Sequence, residues 1–450
     1  MSRQLFGTDG IRGVAGEPPL DSHTVFAFGR ALGQWAADNA PHGGCPRVVI
    51  GTDTRESGPW LASLVAGGLR RAGVEVHFAG LSTTPGVAYL TRVEDFVAGI
   101  MISASHNPYR DNGLKVFDHS GFKLPDATEH QLEQSIFAIL ADSPAPVELA
   151  LETDSSLDQH YIEYLASTFS GRLDGMRIVL DCANGSATYL APELFSRLGA
   201  EVIRTACSPD GRNINLDCGA LHVDSLRQAV LDHHAHCGAA FDGDADRCIM
   251  VSASGRILDG DHLLLIAARD LLASGGYDGA SPAVVATVMS NLGFERALQR
   301  DGISLLRTSV GDKYVLEEMI RAGLPIGGEQ SGHLIFRRFA TTGDGMLSAL
   351  RTLDAAVRAG KPLDDLVSGF EVYPQKLVNV RFKVKRPIEE LSEVQAAMDD
   401  ARGELAERGR LLVRFSGTEP LARVMVEAAD PALVEKHTAR IAEAIRAGMC

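Results

Sequence analysis

The chain has 450 residues, too many for one compact domain; at about 150 residues per domain, three or four are expected. Apolar residues make up 45% of it and charged residues 22%, which excludes a disordered or fibrous chain and fits a soluble globular one. A formal net charge of −15 argues against a nucleic-acid or anionic-membrane partner, so any anionic ligand needs a local cluster of cations.

Three segments follow one template of strand, polar or glycine turn, helix, glycine and second strand. The first runs from RVVIGTDTR (47–55) through RAG (71–73) to VEVHFAG (74–80). The second runs from RIVLDCANG (177–185) through RLG (197–199) to AEVIRTA (200–206). The third runs from AVVATVMSN (283–291) through RDG (300–302) to ISLLRTSVG (303–311). Gly73, Gly199 and Gly302 stand where a helix must stop before a strand, the place of a left-handed cap. The strands are Val- and Ile-rich on both faces, which predicts parallel strands covered on both sides and a βαβ unit used three times. Near residue 370 the texture changes. VNVRFKV (378–384) alternates, with Val378, Val380, Phe382 and Val384 on one face. Helices at about 388–402 and 431–447 flank or follow strands LLVRFS (411–416) and RVMVEAA (423–429), which predicts an antiparallel sheet with helices on one side. Pro374 marks a hinge. The expected domains are 1–155, 156–256, 257–370 and 371–450.

The apolar strand FVAGIMIS (96–103) runs straight into Ser-Ala-Ser-His-Asn-Pro, and Pro108 turns the chain where the strand ends, the ligand-binding end of an open α/β sheet. Ser105 beside His106 reads as a nucleophile, or as a turn serine with a surface histidine; the absence of G-x-S-x-G disfavours an acyl-hydrolase. In AAFDGDADRCIMV (239–251), Asp242, Asp244 and Asp246 stand at alternate positions between apolar flanks. Three carboxylates so close repel one another, and a hard cation relieves that. Arg247 and Ala253 fall where a Ca²⁺ loop needs Gly and Glu, so an open Mg²⁺ site is the better reading. GGEQSGH (327–333) pairs a close-approach glycine backbone with Glu329, Gln330, Ser331 and His333, groups that grip sugar hydroxyls. In RFSGTEPLARVMVE (414–427), Arg414, Ser416, Thr418 and Arg423 surround a glycine turn, the local cationic nest that a chain of this charge requires. FGTDGIRG (6–13) carries Arg12, DNGLKVF (111–117) carries Lys115, and VGDKYV (310–315) carries Asp312 and Lys313; each alone reads equally as a plain loop.

The ordered set FGTDGIRG, ISASHNP, FDGDADR, VGDKYV, GGEQSGH, RFSGTEP resembles the α-D-phosphohexomutase superfamily along essentially the whole chain. Within it, the opening and the GEQSGH loop resemble the phosphoglucosamine mutase branch more than the phosphomannomutase/phosphoglucomutase branch, which runs the same mechanism. The resemblance implies three related mixed- or parallel-sheet α/β domains and a smaller C-terminal α+β domain, with the active-site cleft between the four. It implies a phosphoserine at Ser105, and one Mg²⁺ held by Ser105, Asp242, Asp244 and Asp246. His106, Arg12 and Lys115 would surround the transfer site, with Arg247 neutralising the same phosphate. Glu329, Ser331 and His333 would meet the sugar, and Arg414, Ser416, Gly417, Thr418 and Arg423 the phosphate that is not reacting. The implied reaction interconverts glucosamine 6-phosphate and glucosamine 1-phosphate through a 1,6-bisphosphate, which also serves as activator, on the route to UDP-N-acetylglucosamine. A Mg²⁺-dependent phosphatase and a non-catalytic sugar-phosphate sensor are the other classes; the joint presence of Ser105 and all three aspartates argues against the sensor.

Seven scattered cysteines without C-x-x-C exclude a disulfide framework and a zinc ribbon. MSRQLFGTDGIRG has no apolar leader and no apolar run approaches 18 residues, so a cytoplasmic protein with small-molecule partners is expected. A homodimer is compatible with the sequence, which does not fix the oligomeric state.

Overall fold

The computed structural model describes residues 4–7, 9–40, 44–277, 279, 281–416 and 420–449. The chain opens with β1 (Ile11–Val14) and α1 (Ser22–Asn39), the latter capped by Asp21, whose carboxylate accepts from the backbone of His23 and Thr24. There follow β2 (Arg47–Thr52), α2 (Gly58–Arg71), β3 (Glu75–Leu81), α3 (Thr84–Val93), β4 (Ala98–Ile102), β5 (Asp111–Asp118), α4 (Asp126–Ala141) and α5 (Ser155–Ser167). The sheet order is β1-β5-β4-β2-β3, with β2 parallel to β3 and β4, and β5 antiparallel to β4 and β1. Every residue of β4 is buried, as its unbroken apolar run requires of a strand covered on both faces.

The second sheet takes β6 (Arg177–Asp181), α6 (Ala187–Arg197), β7 (Glu201–Thr205), α7 (Asp224–Asp232), β8 (Cys237–Phe241), β9 (Cys248–Ser252) and β10 (Ile257–Leu258). Its order, β10-β9-β8-β6-β7, repeats the first, with β8 parallel to β6 and β9 antiparallel to β8. The third takes α8 (Gly260–Ser274), β11 (Ala283–Thr287), α9 (Leu292–Arg300), β12 (Ser304–Thr308), α10 (Asp312–Ala322), β13 (Ile326–Gly328), β14 (Leu334–Phe336), α11 (Gly345–Ala359) and α12 (Leu363–Leu366), in the order β12-β11-β13-β14. The three repeats therefore share not only the βαβ unit expected from sequence but a third parallel strand and a fourth that turns back on it. Gly73, Gly199 and Gly302 all adopt positive φ directly after their helices, as expected.

The last sheet is antiparallel, β15 (Gln375–Arg381), then α13 (Ser392–Leu405), β16 (Gly409–Phe415), β17 (Leu421–Ala428) and α14 (Pro431–Met449), in the order β15-β17-β16. Val380, Val424 and Val426 pack with Val394, Ala401, Ile441 and Ile445 of the two helices. The alternation expected to reach Val384 stops earlier: β15 ends at Arg381, and Val384 is 62% exposed. Period-2 patterning cannot see where a strand loses its partner. The first helix also starts later than 388, at Ser392, behind a short 3₁₀ turn at Ile388–Glu390.

The chain divides into two compact units, residues 1–288 with 306–368, and residues 289–305 with 369–450. Within the second unit the buried Glu427 carboxylate accepts from the backbone N–H of Leu292 at 2.9 Å and pairs with Arg410 at 2.8 Å, which ties α9 to β17. Among the described residues no helix is long and apolar enough to cross a membrane. Cys182, Cys218 and Cys248 are buried free thiols, in keeping with a packing role.

Candidate active site

β4 ends at Ile102 and the chain turns at once. Ser105 sits in the left-handed region at φ +53, a conformation that costs a non-glycine residue about 1–3 kcal/mol and so needs fixing from outside. The fixing is specific. The Ser105 N–H donates to Ser103 Oγ at 2.9 Å, and its carbonyl accepts from Arg55 Nη2 at 3.1 Å and from Asn215 Nδ2 at 3.0 Å. Arg55 Nη2 also reaches the Asn107 carbonyl at 2.6 Å. Both side chains of the Arg55–Asp53 ion pair are fully buried, and Asp53 accepts from Ser103 Oγ at 2.5 Å. Held this way, the buried Ser105 hydroxyl donates to Asp242 Oδ2 at 2.6 Å, with His106 Nδ1 at 3.3 Å. Burial, with Arg247 and Arg12 nearby, pushes the His106 imidazole down to about 4, so it is neutral at pH 7.

Asp242, Asp244 and Asp246 lie in the β8–β9 turn, which Ala245 bends at φ +58. All three are buried, with carboxylate oxygens within 4.8 Å of one another. Lys115, from the middle of β5, is 1% exposed and lies 2.8 Å from Asp244 Oδ2, 3.1 Å from Asp9 and 3.6 Å from Asp246. Burial would discharge this ammonium, but the three carboxylates outweigh it and hold it protonated well above the usual lysine range. Against the opposing effect of burial, Lys115 and the Thr84 hydroxyl hold Asp244 below the usual carboxylate range. Asp242 goes the other way: burial, then Asp246 and Asp244, push it well up. Asp244 Oδ1 and Asp246 Oδ1 are buried acceptors with no hydrogen-bond donor among the described residues. A hard divalent cation suits such an all-oxygen set and would supply what those oxygens lack. The Arg247 N–H donates to Asp242 Oδ1 at 3.2 Å, and its guanidinium lies 3.9 Å from Asp246.

The opening loop and the VGDKYV turn join this cluster. Arg12 of β1 bonds Asp9 at 2.5 Å, Lys123 bridges Asp9 at 2.6 Å and Asp312 at 2.5 Å, and Asp312 stands 3.8 Å from His333 Nε2. Signs thus alternate from Asp244 through Lys115, Asp9 and Lys123 to Asp312. Lys313, by contrast, points outward to an exposed pair with Asp126. Glu329 Oε1 accepts from the Gly311 N–H at 3.0 Å, which links the GEQSGH loop to that turn. Ser331 is exposed and His333 is 4% exposed.

In the second unit, Arg414 and Arg423 face each other directly across the β16–β17 pairing. Partial burial and Arg423 together lower the Arg414 guanidinium below its usual range. Like charges in register are destabilising, and an anion between them reverses the sign. The Ser416 N–H donates to the Leu421 carbonyl at 2.8 Å. Gly417 and Thr418 lie outside the described residues.

Four consecutive matches span the chain: alpha/beta/alpha domains I, II and III of phosphoglucomutase/phosphomannomutase at residues 3–142, 159–255 and 259–373, and the C-terminal domain at 377–444. The chain belongs to the phosphoglucomutase/phosphomannomutase family. Among relatives of this family, phosphoglucosamine mutase from Solibacter usitatus (strain Ellin6076) is 56% identical over 449 residues, covering 100% of each chain. Phosphoglucosamine mutase from Koribacter versatilis (strain Ellin345) is 49% identical over 453 residues, covering 99% of this chain and 97% of its own. Of solved structures, a phosphoglucomutase/phosphomannomutase family protein from Burkholderia thailandensis superposes with a TM-score of 0.80 at 25% identity, covering 98% of this chain and 97% of that one.

Seen within the family fold, the Ser105 turn joins β4 to β5, the aspartate turn joins β8 to β9, and the GEQSGH loop joins β13 to β14. All three occupy the same place in their repeats, where the chain leaves a parallel strand and turns back along it. Sequence reasoning missed Asp9, Asp53, Arg55, Thr84, Lys123 and Asn215. Asp53 and Arg55 carried one visible signal, an Asp-x-Arg directly after an apolar strand in GTDTR.

Proposed function

We propose that the protein interconverts glucosamine 6-phosphate and glucosamine 1-phosphate through a phosphoserine at Ser105 and a glucosamine 1,6-bisphosphate. The observation that carries this reading is the Ser105 hydroxyl 2.6 Å from Asp242, on a strained turn and beside a buried aspartate triad. Phosphoryl transfer asks a protein mainly for position and charge compensation, and this site offers both. Asp242, Asp244, Asp246 and the phosphate on Ser105 would hold Mg²⁺, which when bound offsets charge on the moving phosphoryl group. Lys115, Arg12 and Arg247 add cations around the same point, and neutral His106 lies within reach of the serine oxygen. Glu329, Ser331 and His333 would orient the sugar. Arg414, Ser416, Gly417, Thr418 and Arg423 would hold the phosphate that is not reacting.

The phosphoryl group on Ser105 passes to the C1 hydroxyl of glucosamine 6-phosphate, the bisphosphate turns over, and Ser105 takes back the 6-phosphoryl group. A trace of the bisphosphate recharges enzyme that has lost its phosphate. Domains 1–155, 156–256, 257–370 and 371–450 would supply the serine, metal, sugar and phosphate loops in turn, in a cytoplasmic enzyme of amino-sugar supply. Relatives named phosphoglucosamine mutase at 45–56% identity support the amino-sugar preference.

The test is mutase turnover with Mg²⁺ and a trace of bisphosphate on glucosamine, glucose and mannose phosphates, with Ser105→Ala as the blank. The expected result is a kcat/KM preference for glucosamine phosphate and no turnover by Ser105→Ala. A preference for glucose or mannose phosphate would overturn the sugar assignment and keep the mechanism. Steady release of inorganic phosphate without isomerisation would identify a phosphatase instead.

A further inference from the structure

The turn Thr341–Gly345, TTGDG, joins β14 to α11, and the site above makes no use of it. Its fourth residue is an anchor: Asp344 accepts from the Tyr161 hydroxyl at 2.7 Å and from the Leu347 N–H at 2.9 Å, capping α11. The glycines on either side press on the site. The Gly345 N–H donates to the Ala245 carbonyl at 2.9 Å, and a Cβ there would lie 2.3 Å from the Arg247 carbonyl oxygen, so the turn braces the aspartate loop.

Gly343 presses on His333. A Cβ on Gly343 would lie 2.4 Å from His333 Nε2 and 2.5 Å from both Cδ2 and Cε1. Near-equal distances to three adjacent ring atoms put that position over the face of the imidazole; at its edge, Nε2 would be closer by far. His333 is buried, yet among the described residues neither ring nitrogen has a hydrogen-bond partner. Its nearest carboxylates, Asp246 at 3.9 Å and Asp312 at 3.8 Å from Nε2, lie beyond hydrogen-bond length. A functional histidine is ordinarily oriented by a hydrogen bond through its second nitrogen. Here that bond is missing and the plane of the ring is set by packing on a residue with no side chain.

We propose that Gly343 is a positioning residue: it fixes the His333 ring plane, and so the aim of Nε2 between Asp246 and Asp312. This rests on His333 belonging to the sugar site as read above. Gly343 does not have a positive φ, so alanine is compatible with its backbone and the added methyl meets chiefly the ring.

The experiment is a double-mutant cycle of Gly343→Ala and His333→Ala, read as kcat/KM for glucosamine 6-phosphate. A displacement of the ring by about 1 Å should cost roughly 10- to 100-fold in the wild-type background. In the His333→Ala background the methyl has room, and its effect should fall below about twofold. The Mg²⁺ concentration for half activity should stay put in Gly343→Ala and rise in Gly345→Ala, which crowds the aspartate loop instead. Selectively labelled histidine gives a readout that does not need turnover: the His333 ring resonance, assigned by its loss in His333→Ala, should shift in Gly343→Ala while the other histidines stay. An equal loss in both backgrounds, no loss in either, or an unmoved His333 resonance would overturn the proposal. A wild-type protein without mutase turnover but with the resonance shift would overturn the proposed function and leave the positioning intact.

Discussion

Arg55 is the residue that sequence reasoning missed and on which the serine turn most depends. Arg55→Met removes one partner of an ion pair whose two side chains are fully buried. Breaking such a pair from one side costs about 3–5 kcal/mol, because the remaining charge stays buried. The Ser105 and Asn107 carbonyls lose the same guanidinium, and since Asn215 still reaches both, at 3.0 and 3.4 Å, roughly 1 kcal/mol more is a fair addition. The total of about 4–6 kcal/mol is a large share of the 5–15 kcal/mol that holds a typical domain. In urea, with a slope of about 2 kcal/mol per molar, the midpoint of the affected transition should fall by roughly 2–3 M. Burial already raises the Asp53 carboxyl despite Arg55, so without Arg55 that carboxyl protonates more readily and the deficit should shrink as pH falls. Arg55→Met with Asp53→Leu removes both charges and should recover most of the lost midpoint. Transfer of labelled phosphate from the bisphosphate to Ser105 should stay slow in both variants, since neither restores the grip on the Ser105 carbonyl. A single variant as stable as the parent, or a double variant no more stable than the single, would refute this reasoning.

Asp244→Asn removes a charge from the triad and should raise the Mg²⁺ concentration for half activity at least about tenfold; an unchanged Mg²⁺ titration would take Asp244 out of the metal site. Arg423→Ala should raise KM about tenfold or more with kcat nearly unchanged, if its phosphate is gripped equally in ground and transition states; a fall in kcat alone would place Arg423 at the reacting phosphate. Burial pushes the Asp158 carboxyl up to about 7, with the Ser82 hydroxyl pulling back and Glu193 adding to the rise. A carboxyl raised in the folded state holds its proton there after the unfolded chain has lost it, so this group's contribution falls as pH rises from about 4 to 7 and is flat above. Asp158→Asn should therefore stabilise the protein above pH 7, by about 2 kcal/mol after allowing for solvent screening at a partly exposed site, and do nothing near pH 4. Equal unfolding midpoints at pH 8 would remove the burial argument.

Much of the fold was legible because it is local. The three βαβ units, the glycine caps and the antiparallel sheet after residue 370 all follow from apolar periodicity and turn chemistry within about 30 residues. The end of β15 was not legible, because a strand ends where its partner does. The site divides along the same line. Ser105, the three aspartates and the GEQSGH loop announced themselves as short motifs. Lys115, Asp312 and Arg12 stand in stretches that read alone as plain loops; the family resemblance put Arg12 and Lys115 at the transfer site, and the fold joins all three through Asp9 and Lys123. The Lys115–Asp244 and Lys123–Asp312 pairs join residues 129 and 189 positions apart, and no window along the chain contains both partners.

The sequence by itself determined the elements, the repeat and the residue types that phosphoryl transfer needs, because each is a property of a short stretch of chain. Only the tertiary structure decided that the three candidate loops fall at one position of a repeated sheet, that Arg55 clamps the serine turn and that Gly343 packs against the His333 ring. Those are properties of surfaces packed together, where the worth of a charge or a missing methyl depends on what the fold sets against it.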